Sequence, residues 1–206
     1  MKIIKPSVEI MSPLDADYIL KHLEMCGRVC YKSEDKIGEG SAEAILANIL
    51  KRGHEAVIEH FSITVKFICD RGISHEIVRH RLASYCQEST RYCNYSKEGF
   101  GGEITVIEPC YLKRGTDVWK IWEHSCRVAE AAYFDMLSWG CTAQEARAVL
   151  PHSLKTEVVM TADIREWRHF LRLRAAPAAH PQMRELTLPL HEKLQERIPL
   201  LFDGIR

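Results

Sequence analysis

Neither sign of charge is in excess in this chain of 206 residues, because Lys plus Arg and Asp plus Glu both number 28. A balanced chain has no global pull toward nucleic acid or acidic membranes, so any basic patch must be local. No apolar run approaches the roughly 20 residues of a membrane span, and the opening MKIIKPSVEI lacks the apolar core of a secretory signal. We therefore expect a soluble, cytoplasmic protein with no membrane association. No CxxC pair occurs among the eight cysteines, and neither Cys26 with Cys30 nor Cys86 with Cys93 has the paired spacing of a zinc site. That excludes the usual metal frameworks and predicts free, mostly buried thiols. Low-complexity tracts, internal repeats and linkers rich in Gly, Ser or Pro are also missing. With 46% apolar and 27% charged residues, the chain is ordinary globular material rather than a disordered tail.

What is present is a mixture of the two hydrophobic periods. Ile4, Val8 and Ile10 suggest an opening strand. Ser12 and Pro13 then read as the start of a helix whose stripe is Leu14, Tyr18, Ile19, Leu23, Cys26 and Cys30. Ser41 can cap a second helix carrying Ile45, Leu46, Ile49 and Leu50, ended by Gly53 in the left-handed region. Phe61, Ile63, Val65 and Phe67 alternate with polar residues as a half-buried strand. Ser74 can cap a short helix through Ile77, Val78 and Leu82, before a polar run from Ser84 to Lys97 that reads as a loop. A short strand is predicted over Ile104 to Ile107. Thr116 or Asp117 then opens a long helix with Trp119, Trp122, Cys126, Ala129, Tyr133 and Met136 on one face, ended by Gly140. Thr142 and Glu145 form a capping box. Thr156, Val158 and Met160 mark a strand, Asp163 caps the helix after it, and a last helix from about Gln182 to Arg197 contains Pro189, a kink signal. Together these predict a single α+β domain over residues 1–206, with helices packed on a small, mainly antiparallel sheet.

Arginine is concentrated in two places. His75 to Ser96 sets Arg79, His80, Arg81 and Arg91 among hydroxyls and amides, a set whose planar forks and hydroxyls suit phosphate and sugar. Ile164 to Arg174 carries Arg165, Arg168, His169, Arg172 and Arg174. Helical spacing puts Arg174 on the face of Trp167, Phe170 and Leu171, so its guanidinium needs a partner, either a carboxylate such as Glu157 or an anionic ligand. Salt bridges, a solvated helix end, or nucleic-acid binding aided by Tyr85, Tyr92 and Tyr95 are the competing uses of such clusters.

The arrangement Arg79-His80-Arg81, seven residues, then Ser89 resembles flavin-dependent thymidylate synthase. The resemblance extends through RGHE (Arg52 to Glu55), QESTRY (Gln87 to Tyr92), ARAVLP (Ala146 to Pro151), IREWRHFLRLR (Ile164 to Arg174) and HPQMRE (His180 to Glu185). It implies a homotetramer with active sites shared between subunits. It further implies FAD held by His54, Arg79, His80, Arg81, Gln87, Asp163, Arg165 and His169. For dUMP it implies Glu76, Arg79, Gln87, Glu88, Ser89, Thr90, Arg91, Arg147 and Arg174, with Arg174 activating the pyrimidine. Glu76 stands where the family often has glutamine, offering substrate an acceptor rather than an amide. Asp163 stands where asparagine is common. Pro177 and its neighbours lengthen the gap from Arg174 to His180, which counts against His180 as a flavin contact.

The reaction implied is reductive methylation of dUMP to dTMP, with methylenetetrahydrofolate as one-carbon donor, FAD as hydride carrier and NADPH as reductant. Cofactors then carry the bond changes, and the protein positions and polarises. One rival is a thymidylate synthase with Cys86 or Cys93 as nucleophile; another is a nucleic-acid-binding module.

Overall fold

A computed structural model describes residues 1–205. The chain is α+β, with helices packed on a small, mainly antiparallel sheet. In order, the elements are strands β1 (Lys2–Ile4) and β2 (Ser7–Ile10), helices α1 (Ala16–Val29) and α2 (Ser41–Lys51), strand β3 (Ser62–Asp70), helix α3 (Arg71–Ile77), and strands β4 (Ala83–Gln87) and β5 (Thr105–Ile107). Helices α4 (Asp117–Ser138) and α5 (Ala143–Ala146), strand β6 (Lys155–Asp163) and helices α6 (Ile164–Arg174), α7 (Pro181–Arg197) and α8 (Pro199–Phe202) complete it. Four strands form one sheet in the order β2-β3-β6-β4, and β1 pairs in parallel with β5, Ile3 opposite Val106.

The contacts divide the chain into two compact units. One comprises Met1–Ser7, Phe67–Arg79 and Tyr85–Val159. Its core is Tyr95, Ile104, Val106, Cys126, Tyr133, Ala146 and Leu154. The α4 stripe thus buries Trp119, Cys126 and Tyr133, as its spacing predicts. The other unit comprises Val8–Lys66, His80–Ser84 and the chain from Met160 onward. Here α1 packs on α2 and α6 on α7. The close approach of α1 needs Gly27, where a Cβ would lie 3.1 Å from Ile49 Cδ1. Trp167, fully buried, donates its indole N–H to the Ile63 carbonyl at 2.9 Å, tying α6 to β3.

Several local expectations are corrected. The opening strand is two strands in two sheets, and Pro6, which has no N–H to offer a ladder, separates them. Asp15, not Ser12, caps α1, because the Ser12 hydroxyl already accepts the Thr64 N–H at 2.8 Å. Gly40, at φ +70, is the N-cap of α2, and Ser41 is its first residue, accepting from the Gly38 N–H. Helix α3 begins three residues before Ser74 and is capped by Asp70, whose Oδ1 accepts the Ile73 N–H at 2.7 Å. The run expected to be a loop opens as β4, and β5 starts at Thr105 rather than Ile104. Thr116, Thr142 with Glu145, and Asp163 cap as expected, and Gly53 and Gly140 have positive φ. Helix α7 runs through Pro189. All eight cysteines are free, but only Cys69 and Cys126 are buried, which corrects the expectation of mostly buried thiols. No helix among the described residues is long and apolar enough to cross a membrane.

Candidate active site

The second unit gathers most of the residues implied for flavin. Helix α6 is started by Asp163, whose Oδ1 accepts the Glu166 N–H at 2.8 Å, so the residue does cap its helix. Burial raises the Asp163 pKa, and the charges of Glu59 and Glu166 add to this, against the backbone donors that lower it. One helical turn on, Glu166 Oε1 lies 2.8 Å from Nδ1 of buried His80. On the other side of that ring, Arg174 Nε donates to His80 Nε2 at 3.2 Å. Arginine only donates, so Nε2 must be the acceptor, and the imidazole proton sits on Nδ1, shared with Glu166. His80 is thus held neutral between a carboxylate and a guanidinium. Its pKa is lowered chiefly by burial, with Arg174 and His169 adding to the effect against Glu166. The ring packs at 4.8 Å on Phe170 and 5.6 Å from His169.

Arg174 Nε thus meets an imidazole, and Glu157 pairs with Lys155 at 2.6 Å. The backbone of Arg174 is fixed as well, its carbonyl accepting the Thr187 hydroxyl at 2.9 Å. His80, Glu166 and His169 offer ligand atoms within 4.8 Å of one another. A metal ion on the His80 ring would have to break at least its contact with Arg174 and sit beside that guanidinium, so the chemistry of the set does not suit a cation.

Elsewhere in this unit, Arg165 ion-pairs with Glu59 and lies 3.6 Å from Glu55. A cleft of about 350 Å³ lies beside it, lined by His54, Gly53, Tyr31, Val57 and Arg165. Arg81 is exposed. His180 accepts the Gln182 N–H at 3.3 Å as the N-cap of α7. With Tyr31, Ile49 and Val57 on its walls and Arg165 and His54 beside Glu55, the cleft offers an apolar surface with one cation and one imidazole, a set that fits a cofactor carrying both an aromatic ring system and phosphates, as FAD does.

The first unit gathers the residues implied for dUMP apart from Arg174. Gln87 donates to Ser74 Oγ at 2.9 Å and to Thr156 Oγ1 at 3.3 Å. The Glu88 carboxylate accepts from Tyr95 at 2.9 Å and from Lys155 at 2.8 Å, which anchors the start of the loop. Burial pushes the Tyr95 phenol well up, and the neighbouring Glu88 charge adds to it. Ser89 begins a turn, its carbonyl accepting the N–H groups of Tyr92 and Cys93 and its hydroxyl that of Arg91. Arg147 donates to buried Thr90 at 3.4 Å, and Arg91 donates to Gln144 at 2.8 Å. Glu76 is half-buried and Arg79 exposed.

Glu166, Lys155 and Glu59 were not singled out from the sequence. Glu166 had only a slight signal, an acidic residue in the first turn of an otherwise basic helix beside the buried Trp167. Lys155 had none, because its two partners are distant in sequence or on the same strand.

Residues 17–200 match the family described as Thy1, thymidylate synthase complementing protein. The chain is 32% identical over 167 residues to a flavin-dependent thymidylate synthase of Pyrococcus furiosus, covering 81% of this chain and 68% of that protein. It is also 32% identical over 199 residues to one of Corynebacterium aurimucosum, covering 88% and 78%. In structure it is similar to a UMP/dUMP methylase, PolB, from Streptomyces cacaoi, bound with 5-Br dUMP. The TM-score is 0.80 at 23% identity, over 98% of this chain and 96% of that one, a likeness of fold.

Proposed function

The chain belongs to the flavin-dependent thymidylate synthase family, and from that premise we propose how its residues carry out the methylation of dUMP to dTMP. FAD is the cofactor, and when bound it supplies hydride-transfer chemistry that no side chain here can supply. Methylenetetrahydrofolate and NADPH are the co-substrates consistent with that family. The observation that carries the reading is the fixed Arg174–His80–Glu166 row on and beside α6. Its lowered pKa keeps His80 uncharged, so the imidazole accepts from Arg174 without cancelling the guanidinium charge.

Arg174, oriented at Nε by His80 and at its backbone by Thr187, then sets its guanidinium charge against negative charge developing on the pyrimidine. His54, Arg81, Asp163, Arg165 and His169 of the second unit, with Arg79 and Gln87, hold the flavin. Glu76, Arg79, Gln87 to Arg91, Arg147 and Arg174 hold the nucleotide. Ser89 serves as a binding hydroxyl, and no cysteine acts as nucleophile. The working form is a homotetramer in the cytoplasm, with sites shared between subunits. An apolar stripe on α4 supports association: Val118, Ile121 and Val128 are 59%, 66% and 54% exposed at helical spacing, a face that favours a second copy.

The test is the absorption spectrum of the purified protein, with flavin measured per chain in wild type, His80→Ala and Arg81→Ala. Flavin bands in the wild type, reduced in both variants without loss of fold, are expected. A colourless protein that binds RNA with steep salt dependence would instead place the arginines in a nucleic-acid module.

A further inference from the structure

Next to the His54–Arg165 cleft lies another, of about 470 Å³, that none of the residues assigned above explains beyond His54 itself. Its wall includes Arg28, Lys36, Arg52, His54, Tyr31 and Asn48, and no carboxylate contributes to it. The two clefts share Tyr31, Ile49 and His54, so they adjoin along one wall.

The cations differ in what they already do. Arg28 is 11% exposed and committed: Glu24 Oε1 accepts from its Nε at 3.0 Å and from its Nη2 at 2.8 Å, and the Lys36 carbonyl also accepts from it. Its role is to fix the segment that carries Lys36. The exposed side chains of Lys36 and Arg52 have no ion pair among the described residues. Arg52 closes α2, where a cation also favours the helix dipole, so it alone would say little. Lys36 closes only a three-residue helical turn, Glu34–Lys36, whose dipole is small. Its segment is held by Arg28, and Lys36 lines the same cleft as Arg52 and His54.

We propose that this cleft is a subsite for the anionic end of a co-substrate whose reactive end meets the flavin held at the neighbouring His54–Arg165 cleft. This rests on the thymidylate synthase reading for which co-substrates those are. Two sources offer the required chemistry: the carboxylates of the glutamate tail of the folate, and the phosphates of the dinucleotide. Because the cations are exposed, they act through screened attraction and contribute mainly to affinity, not to the chemical step.

The experiment uses flavin-loaded full-length protein and the variants Lys36→Ala, Arg52→Ala and their combination, with Lys51→Ala as a control on the same helix outside the cleft. Calorimetry at low salt compares folic acid with one glutamate against five, and NADP+ against NAD+. The double variant is expected to weaken the more anionic member of one pair by roughly three- to tenfold, leaving its less charged partner and the control unaffected. Loss of the five-glutamate advantage assigns the cleft to the folate tail; loss of the NADP+ advantage assigns it to the dinucleotide. Equal affinities in wild type and double variant for both pairs would overturn the subsite. dTMP formation by the wild type, assayed separately, shows whether the underlying reading holds, so a failure of one is distinguishable from a failure of the other.

Discussion

His80 is the residue whose environment says most about its role. A neutral ring accepts from Arg174 at Nε2 and donates to Glu166 at Nδ1; a second proton would set two donors face to face. His80 should therefore remain neutral, protonated on Nδ1, at pH 6.5, where an unperturbed imidazole is half charged. Nitrogen NMR of the imidazoles measures this, and titration of His80 together with exposed histidines would show that the assigned row does not persist in solution. The linkage has a definite sign. With the folded pKa lowered, the unfolded chain takes up this proton first, so His80 makes stability fall as pH drops below 6.5, until its folded value is reached. Arg174 belongs to the same scale. Arg174→Ala and Arg174→Lys are expected to keep flavin and fold but lose dTMP formation by about 100-fold, since lysine lacks the planar fork that meets His80 and substrate together. Near-normal turnover in the alanine variant would leave Arg174 a structural partner of His80. Serine in place of Cys86 or Cys93 should leave substantial activity, whereas a covalent adduct of either with dUMP, found by mass spectrometry, would revive the cysteine mechanism.

At the scale of elements, α6 depends on its cap as much as on its apolar stripe. Asp163→Ala removes the acceptor for the Glu166 N–H and should cost about 1 kcal/mol, read as a lower urea midpoint. Asp163→Asn keeps the acceptor without the half-buried charge and should be neutral or better; equal destabilisation by both would mean that the charge is needed. The long periodic elements were legible from the chain alone. The stripes of α4 and α6 and the alternation of β3 come from burial on one face, a property local sequence carries directly. Helix starts were less legible, because several hydroxyls compete and tertiary contacts choose among them. Ser12 is spent on Thr64 and Ser74 on the Arg71 carbonyl, which leaves Asp15 and Asp70 as the caps. At the site, the arginine clusters were visible, but the Lys155–Glu88–Tyr95 anchor joins residues far apart in sequence and has no periodic signature.

On the scale of the whole molecule, the proposed tetramer makes two claims that can be separated. Ile121→Glu, on the exposed stripe of α4, should shift light scattering toward smaller species, while a wild type that is monomeric at working concentration would contradict shared sites. Mixing an Arg79→Ala protein with an Arg174→Ala protein should restore some activity through hybrid sites, which neither variant achieves alone. Both depend on the central claim that this chain turns dUMP into dTMP through a bound flavin. The direct measurement is product analysis by mass spectrometry after incubating FAD-loaded protein with dUMP, methylenetetrahydrofolate and NADPH, beside the same protein stripped of flavin. The account predicts dTMP from the loaded protein and none from the stripped one; dTMP that forms equally without flavin, or no dTMP from a fully loaded and folded protein, would contradict it.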